Sequence, residues 1–571
     1  MIISIVTVAA LVLMFTVPIA NDYYGDAYQL RKFASNTIET IPQGAHDAFF
    51  STTFSPWSGH QWVLSLVTYL TYLLGVTYGQ AFMILDGVCG SLAILIWMLF
   101  LHRSIPAPFA RILLALAMIS APFMLLFWGH YESYAPLFLI LMAWVTQGFR
   151  YLETGKKETL LVLGVLLLLG IRVHTVALLL VPGLLLLYLL RQKKIAPNWN
   201  KIGLFGLVPI FVAGAILYFF IFQDHLDSRD IEPDADGYSH LFLPLVSPAP
   251  PLDRYNLLSF NHLLDYMLET MIWAPVGILV LFGMLISRFR AINWQEPLLL
   301  WSGFNLIILG AFFFMVNPLL SMQMDWDMMA IPAPFLLIFI ASILRQFPEG
   351  NSLLKRALFP GIGIALLAGS IFWVETHPQP GSERLMALGI RTFEGYHTWS
   401  HQIIDFSLKE DQSEPERYGQ RLAATIEHLQ PYATIGNDKE YSRLLKDMGR
   451  YQLRNKKDLN QAIYYLNAAA EAYPREYQYL TLLMEANYRL QNFDEALRVS
   501  RKMIEEETPS KIQALRIATQ CALEARAYEE AGKYAREIIT LEPDSLFLEV
   551  TNRIERGDRV DSLIFLFVRS E

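Results

Sequence analysis

Long apolar runs separated by short polar segments occupy the first 375 residues of the chain. Runs of about 17–25 apolar residues are typical of helices that cross a membrane. The apolar stretches lie at 2–20, 61–78, 82–101, 111–127, 135–149, 159–171, 175–190, 201–222, 264–287, 297–316, 328–344 and 357–374. This pattern predicts an all-α fold in which residues 1–375 form a polytopic helical membrane domain.

After residue 375 the pattern is that of a soluble helical domain. Between residues 440 and 545 an alanine and a following proline recur at intervals of 34–35 residues, as Ala462 with Pro474, Ala496 with Pro509 and Ala531 with Pro543. This period, with a small residue early in a second helix, resembles the tetratricopeptide repeat (TPR). We therefore expect a helical linker over 376–439 and a short α-solenoid of TPR-like repeats over 440–571. Such solenoids bind peptides or partner proteins.

Composition supports this division into a membrane part and a soluble part. The first 375 residues contain 41 charged side chains, whereas the last 196 contain 57. The net charge of −8 and the lack of a basic patch argue against a nucleic-acid partner. The two cysteines, Cys89 and Cys521, lie in different parts of the chain and do not suggest a disulfide or a cysteine-based metal site.

Positive charge alternates between successive loops. One set of loops holds fourteen Lys and Arg against four carboxylates, and the other holds five against fourteen. The positive-inside rule places the basic set in the cytoplasm. Loop 21–81 is then external, and its apolar stretch 61–78 is membrane-adjacent, which leaves about eleven spans. We also expect the acidic loop 223–263 and the C-terminal domain outside, in the periplasm if the membrane is a bacterial inner membrane.

The external loops carry the residues that could do chemistry. These are Asp22 and Asp26 after the first span, His130 and Glu132 in the next short loop, Arg172 and His174 in a third, and Asp325 and Asp327 around Trp326. Asp86 and Glu269 lie just inside external helix ends and would line the same cavity or reach out to solvent. Carboxylates at such depths usually face a cavity, an ion or a substrate.

The order of these features resembles the GT-C superfamily of membrane glycosyltransferases: a first span, an acid early in a long external loop, and a second acid in the next external loop. With external repeats, the layout is similar to transmembrane-and-TPR O-mannosyltransferases. The resemblance implies sugar transfer from a polyprenyl-phosphate-linked donor, with Asp26 and Glu132 as the catalytic carboxylates. The chain departs from the family where Gly25-Asp26 replaces the common Asp-Glu doublet, and it lacks a WWD motif. A monosaccharide on a lipid monophosphate is therefore the expected donor.

The expected roles follow from the chemistry of sugar transfer. A carboxylate takes the acceptor proton, which we assign to Asp26, and Glu132 orients the acceptor or a metal ion. Cationic side chains bind the lipid phosphate, and these are Arg172 with His174. Further substrate contacts are expected from Asp22, His130, Asp325 and Asp327. The metal requirement is unknown, with Mg²⁺ or Mn²⁺ compatible, and the repeats would recruit a protein or glycan acceptor, or a protein partner.

Each assignment has a structural alternative. Asp26 caps the next helix or lies in interfacial water. Glu132 forms a structural ion bridge with Arg172. Asp325-Trp326-Asp327 supplies an interfacial Trp and an N-cap for a helix that opens at Ala330-Ile331-Pro332. For the whole chain, one alternative is a non-enzymatic membrane-anchored TPR scaffold of an envelope complex. Another is a transporter, or a polysaccharide polymerase or ligase. A transporter should carry ionisable residues near the bilayer midplane, whereas the charges here concentrate near the outer face.

Overall fold

The structure, a computed structural model, consists of helices and their connections. It describes residues 2–17, 58–193, 242–246, 255–317, 321–347, 351–395, 400–408, 411, 413–433, 438–473, 478–505, 511–542 and 545–557. In these ranges the only extended pairing is an isolated antiparallel bridge between Phe242 and Val316. The predicted all-α class is confirmed. The chain forms two compact units, Met1–Arg384 and Leu385–Glu571.

The first unit contains the apolar helices. They are α1 (Ile2–Thr16), α2 (Ser58–Leu74), α3 (Tyr78–Ser104), α4 (Pro108–Ile119), α5 (Tyr134–Thr154), α6 (Lys157–Val173), α7 (Val181–Arg191), α8 (Phe260–Trp273), α9 (Pro275–Arg288), α10 (Pro297–Met315), α11 (Trp326–Met329), α12 (Ala333–Arg345) and α13 (Asn351–Thr376). Two 3₁₀ segments, Pro122–Phe127 and Thr175–Leu180, follow α4 and α6. The boundary between the units falls within α14 (Pro378–Glu394).

Five helical segments among the described residues are long and apolar enough to cross a membrane, and the bent pair α8 and α9 would make a sixth. Four shorter apolar helices accompany them. The segment Leu354–Thr376 has only 11% of its apolar window buried inside the protein, as expected for a helix that faces lipid. The first unit is therefore a multi-pass membrane domain. The number of eleven spans stays a prediction, and the expected span 201–222 lies outside the described residues.

Two apolar stretches are broken where a single helix was expected. The stretch 264–287 is not one straight span, because α8 and α9 meet at an angle of 99° across Ala274. Pro275 has no N–H and disfavours a helical conformation of the preceding residue, which accounts for the break. The stretch 111–127 ends its α-helix at Ile119 and continues from Pro122 as a 3₁₀ segment.

At one end of the first unit, loops from the basic set meet. Arg345 forms an ion pair with Glu153 at 2.8 Å, and Arg191 donates to the carbonyl of Leu152 at 3.0 Å. These contacts join loops that are far apart in sequence but that the charge pattern assigns to the same side of the membrane.

Aromatic packing joins α5, α7 and α10 in the interior of the first unit. The rings of Trp144 and Trp301 lie 5.2 Å apart, and both are buried. Trp301 donates its indole N–H to the carbonyl of Gly183 at 3.0 Å. A Cβ atom on Gly148 would overlap the Trp301 ring, so this glycine permits the close approach of α5 and α10.

The second unit is a run of amphipathic helices. After α14 these are α15 (Ser400–Ser407), α16 (Pro415–Ala433), α17 (Asp438–Tyr451), α18 (Leu459–Ala472), α19 (Gln478–Arg489), α20 (Phe493–Glu505), α21 (Lys511–Glu524), α22 (Tyr528–Leu541) and α23 (Ser545–Glu555). From α17 onward each helix packs on the next. Ala462, Ala496 and Ala531, the repeating alanines, are completely buried near the starts of α18, α20 and α22. Their assignment to TPR repeats stays a prediction.

Candidate functional site

The structure describes six of the eight predicted site residues. His130 and Glu132 lie before α5, Arg172 and His174 lie at the end of α6, and Asp325 and Asp327 lie at the start of α11. Asp22 and Asp26 lie outside the described residues, so their assigned roles stay predictions.

Three of these side chains form one buried cluster. His130 Nε2 lies 2.9 Å from Asp327 Oδ2, although 197 residues separate the two in the chain. Glu132 completes the group, in which one donor atom from each side chain lies within 4.8 Å of the others. The side chains are nearly inaccessible, with 1% of His130, 2% of Glu132 and 2% of Asp327 exposed. We refer to His130, Glu132 and Asp327 as the acidic cluster.

A tight turn presents two members of the acidic cluster. Gly129 has φ +84°, and a Cβ atom there would lie 2.6 Å from Met83 Cγ of α3. Glycine is the residue that adopts this conformation without strain and also allows the loop to approach α3 closely. The Glu132 N–H then donates to the His130 carbonyl at 2.7 Å. This turn places His130 and Glu132 together before α5 begins.

The third member comes from the short helix α11. Asp327 is in its first turn, where Oδ1 accepts from the N–H of Met328 at 2.7 Å and Oδ2 faces His130. The predicted helix start at Ala330 is wrong, because α11 begins at Trp326 and α12 begins at Ala333. Asp325 does occupy the N-cap position of α11, but its side chain makes no capping hydrogen bond. The ring of Trp326 packs beside His130, with 5.3 Å between ring centroids.

His174 lies beside the start of α5, and Arg172 is two residues before it, in the last turn of α6. The ring of His174 packs against Tyr134, the first residue of α5, at 5.4 Å between centroids. His174 also caps the following 3₁₀ segment, because its Nδ1 accepts from the N–H of Val176 at 3.1 Å. The ring proton of a neutral His174 is therefore on Nε2. Arg172 and His174 are half-buried, which leaves part of each side chain accessible to a ligand.

Helix α8 carries a row of buried polar residues, of which the sequence singled out Glu269 but not His262 or Asp265. His262, Asp265 and Glu269 are all buried, and their spacing places them on one face of the helix. Glu269 interacts electrostatically with Asp265, Arg384, Asp327 and Asp325. Glu269 was expected either to line the cavity or to reach solvent, and its burial excludes the second option. Hydropathy averaged over 264–287 hides this polar face.

The acidic cluster has a donor set that fits a divalent metal ion. Imidazole nitrogen and carboxylate oxygen bind Zn²⁺ and Mn²⁺ well, and carboxylates also bind Mg²⁺. Ligand atoms around such an ion lie about 2.0–2.2 Å from the metal, so they are about 3–4 Å from one another. Donor atoms within 4.8 Å need only a small adjustment to reach this arrangement.

The chain shows little similarity to known proteins. No protein-family profile matches the sequence, and no curated protein sequence matches it significantly. Among solved structures, it is similar to the crystal structure of ArnT from Cupriavidus metallidurans in the apo state. The TM-score is 0.40 with 13% identity, over 89% of this chain and 80% of that chain. A likeness with this TM-score and this identity does not establish an activity.

Proposed function

We propose that this chain is a membrane glycosyltransferase that transfers a sugar from a polyprenyl-phosphate donor to an acceptor on the outer face of the membrane. The observation that carries the proposal is the buried acidic cluster of His130, Glu132 and Asp327 inside an apolar helical unit. Removing carboxylates from water is unfavourable unless they bind an ion, a proton or a ligand. A site of this kind fits a reaction that needs a base and stabilisation of positive charge on a sugar.

The proposed roles keep to the chemistry of each side chain. Asp26 takes the proton from the acceptor hydroxyl, and Glu132 orients the acceptor. His130 and Asp327 form the wall of the site and hold each other in place through their 2.9 Å contact. Arg172 and His174 bind the phosphate of the donor lipid, because a guanidinium matches two phosphate oxygens and His174 offers an Nε2–H donor. Asp22 and Asp325 contribute further polar contacts to the substrate.

A divalent ion is proposed at the acidic cluster. His130, Glu132 and Asp327 would hold it, and it would supply positive charge next to the leaving phosphate. Treatment with EDTA should lower transfer activity, and Mn²⁺, Mg²⁺ or Zn²⁺ should restore it. Full activity after exhaustive chelation would exclude this ion.

The test of the function is sugar transfer from labelled undecaprenyl-phosphate sugars by the purified protein. The Asp26→Asn variant should lose about a hundredfold or more in rate, the usual size of an acid–base contribution. Glu132→Gln and Asp327→Asn should each lose about tenfold or more, because these residues orient the acceptor and hold the proposed ion. Glu158→Gln is the matched control, since Glu158 is an exposed carboxylate at the opposite end of α6 from Arg172. Wild-type activity in all three site variants would refute the assignment.

The TPR-like repeats over 440–571 are proposed to recruit a protein acceptor or a protein partner of the enzyme. The support is the run of successively packed helices α17–α23, which resembles peptide-binding solenoids. Truncation after residue 439 should then reduce transfer to a folded protein acceptor but not to a short soluble acceptor. An equal reduction for both acceptors would contradict a recruiting role.

A further inference from the structure

Helix α8 buries its polar side and exposes its apolar side. Asp265, Glu269 and Trp273 follow one another at intervals of four residues and are all buried. The exposed side chains are instead apolar: Phe260 is 76% exposed, and Leu263, Met267, Leu268 and Met271 are exposed as well. This is the reverse of a helix on the surface of a soluble protein. In a membrane domain, it places the apolar face toward acyl chains and the polar face toward the site.

Two hydrogen bonds fix α8 in this orientation. Trp273 donates its indole N–H to the carbonyl of Met329 at 2.8 Å, in α11, the helix that carries Asp327. Tyr266 donates its hydroxyl to the carbonyl of Gly310 on α10 at 2.8 Å. The polar face of α8 is therefore held against α11, which supplies Asp327 to the acidic cluster.

Glu269 is the carboxyl group of this face that keeps a buried oxygen without a hydrogen-bond partner among the described residues. Only 2% of the residue is exposed, and its Oε2 has no hydrogen-bond partner among the described residues. Asp265, one turn away, accepts a hydrogen bond from the hydroxyl of Tyr255 at 3.2 Å. Arg384 interacts electrostatically with Glu269, but it is also paired with the buried carboxylate of Glu375. A buried carboxyl oxygen without a hydrogen bond is destabilising unless a ligand satisfies it.

Glu269 lies close to the acidic cluster but is not part of it. The donor atoms of His130, Glu132 and Asp327 lie within 4.8 Å of one another, and Glu269 is not a member of that group. It nevertheless interacts electrostatically with Asp327 and Asp325. Glu269 therefore adjoins the acidic cluster without belonging to it. In the proposed function the ion lies next to the leaving phosphate, so the sugar attached to that phosphate would lie beside the acidic cluster.

We propose that Glu269 binds hydroxyl groups of the sugar carried by the donor lipid. The inference rests on the glycosyltransferase function proposed above and extends it to recognition of the sugar. A carboxyl group offers two oxygens, and these match the paired O–H donors of neighbouring sugar hydroxyls. Because water is excluded from the buried site, such hydrogen bonds distinguish a sugar that carries both hydroxyls from one that lacks them.

The test is a binding measurement on the full-length protein in detergent, which does not depend on turnover. The probes are undecaprenyl phosphate and undecaprenyl-phosphate-linked glucose, mannose, galactose and arabinose. Wild-type protein should bind at least one sugar-bearing lipid about tenfold or more tightly than undecaprenyl phosphate. Glu269→Gln should reduce that preference about tenfold, since the amide has one oxygen in place of the two of the carboxyl group. Binding of undecaprenyl phosphate itself should not change.

A deoxy donor and a control variant sharpen the test. A donor lacking the recognised hydroxyl should bind wild type and Glu269→Gln equally, and Glu158→Gln should keep the wild-type preference. The inference is overturned if Glu269→Gln retains the full preference, if it weakens undecaprenyl phosphate equally, or if wild-type protein shows no preference. Thermal unfolding shows whether Glu269→Gln is folded. If it is not, Glu269→Asp is measured instead and should have a sugar preference between that of wild type and no preference. Sugar preference without any transfer would refute the proposed function and leave this inference standing.

Discussion

Replacing Gly449 by alanine tests how closely the first repeat hairpin is packed. A Cβ atom at Gly449 on α17 would lie 2.7 Å from Leu466 Cγ, 2.9 Å from Leu466 Cδ2 and 3.4 Å from the carbonyl oxygen of Ala462. Leu466 and Ala462 belong to α18 and are completely buried. The added methyl group therefore meets the middle of a core side chain and a backbone oxygen, neither of which moves away easily.

The expected magnitude is the difference of two opposing effects. Alanine in a helix is more favourable than glycine by about 1 kcal/mol. Inserting a methyl group into a filled core is unfavourable by about 1–3 kcal/mol. Since Leu466 is enclosed by the core of the second unit, we expect the second effect to be larger. Gly449→Ala should thus destabilise the α17–α18 hairpin by about 1 kcal/mol.

Gly532 on α22 is the matched control for Gly449. The nearest atoms to a Cβ there are Ile554 Cγ2 at 3.5 Å, Ile554 Cδ1 at 3.8 Å and Arg536 Nη1 at 3.9 Å, which are ordinary van der Waals distances. Gly532→Ala has the same gain in helix propensity as Gly449→Ala, but its added methyl group overlaps no neighbouring atom. It should stabilise α22 by up to about 1 kcal/mol, so the two substitutions have opposite signs.

Hydrogen–deuterium exchange of the intact protein, read on peptides from α17, α18 and α22, measures both effects locally. A change of about 1 kcal/mol in local opening corresponds to about a fivefold change in exchange rate. Exchange in α17 and α18 should be faster in Gly449→Ala, and exchange in α22 should be slower in Gly532→Ala. Slower exchange of the hairpin in Gly449→Ala would refute the packing argument.

Three further predictions concern protonation, thiol reactivity and helix packing. Burial alone would raise the pKa of Asp447. The hydrogen bond from His401 and the neighbouring cations lower the pKa by more than burial raises it, so the pKa lies below its usual value. The resulting stability is present above the unfolded pKa of about 4 and is lost as pH falls through the lower folded value. As pH falls, the rate of limited proteolysis of the second unit should therefore rise less in Asp447→Asn than in wild type. The same dependence on pH in both proteins would contradict this. Burial raises the pKa of Cys521 to about 12, so in a protein without the other cysteine, maleimide labelling at neutral pH should require denaturant. Gly148→Ala should lower the melting temperature in detergent by several degrees, since it overlaps an indole of α10, whereas Gly164→Ala meets no atom within 4 Å and should not.

Charge counting predicted which loops share a side of the membrane but not which residues touch. The loops that hold His130 and Asp327 were both assigned to the outer side, and the structure brings their side chains to 2.9 Å. The positive-inside rule assigns whole loops to a side of the membrane. It does not say which loops on that side contact each other. The pairing depends on how α5, α11 and α12 pack, which a single sequence does not specify.

The break between α8 and α9 could have been predicted, whereas the orientation of α8 could not. Pro275 is a direct signal for a break, since it removes a helical hydrogen bond. Asp265 and Glu269 share a face by their spacing, but spacing alone does not decide between an inward and an outward face. That choice depends on the hydrogen bond from Trp273 to Met329, which joins segments 56 residues apart.

The charge balance of the proposed site has a consequence for the order of binding. Glu132 and Asp327 are buried together with Asp265 and Glu269 nearby, and Arg384, the cation that interacts with Glu269, already pairs with Glu375. A lipid phosphate bound by Arg172 and His174 would still be repelled by these carboxylates, and a cation at the acidic cluster would reduce that repulsion. If the acidic cluster holds a divalent ion, that ion should raise the affinity for undecaprenyl phosphate, and the lipid should raise the affinity for the ion by the same factor. Titrations of each ligand with and without the other measure the two factors in the same protein. Equal factors above about fivefold would fit this coupling, whereas lipid binding that is indifferent to Mn²⁺ or Mg²⁺ would place the phosphate away from the acidic cluster.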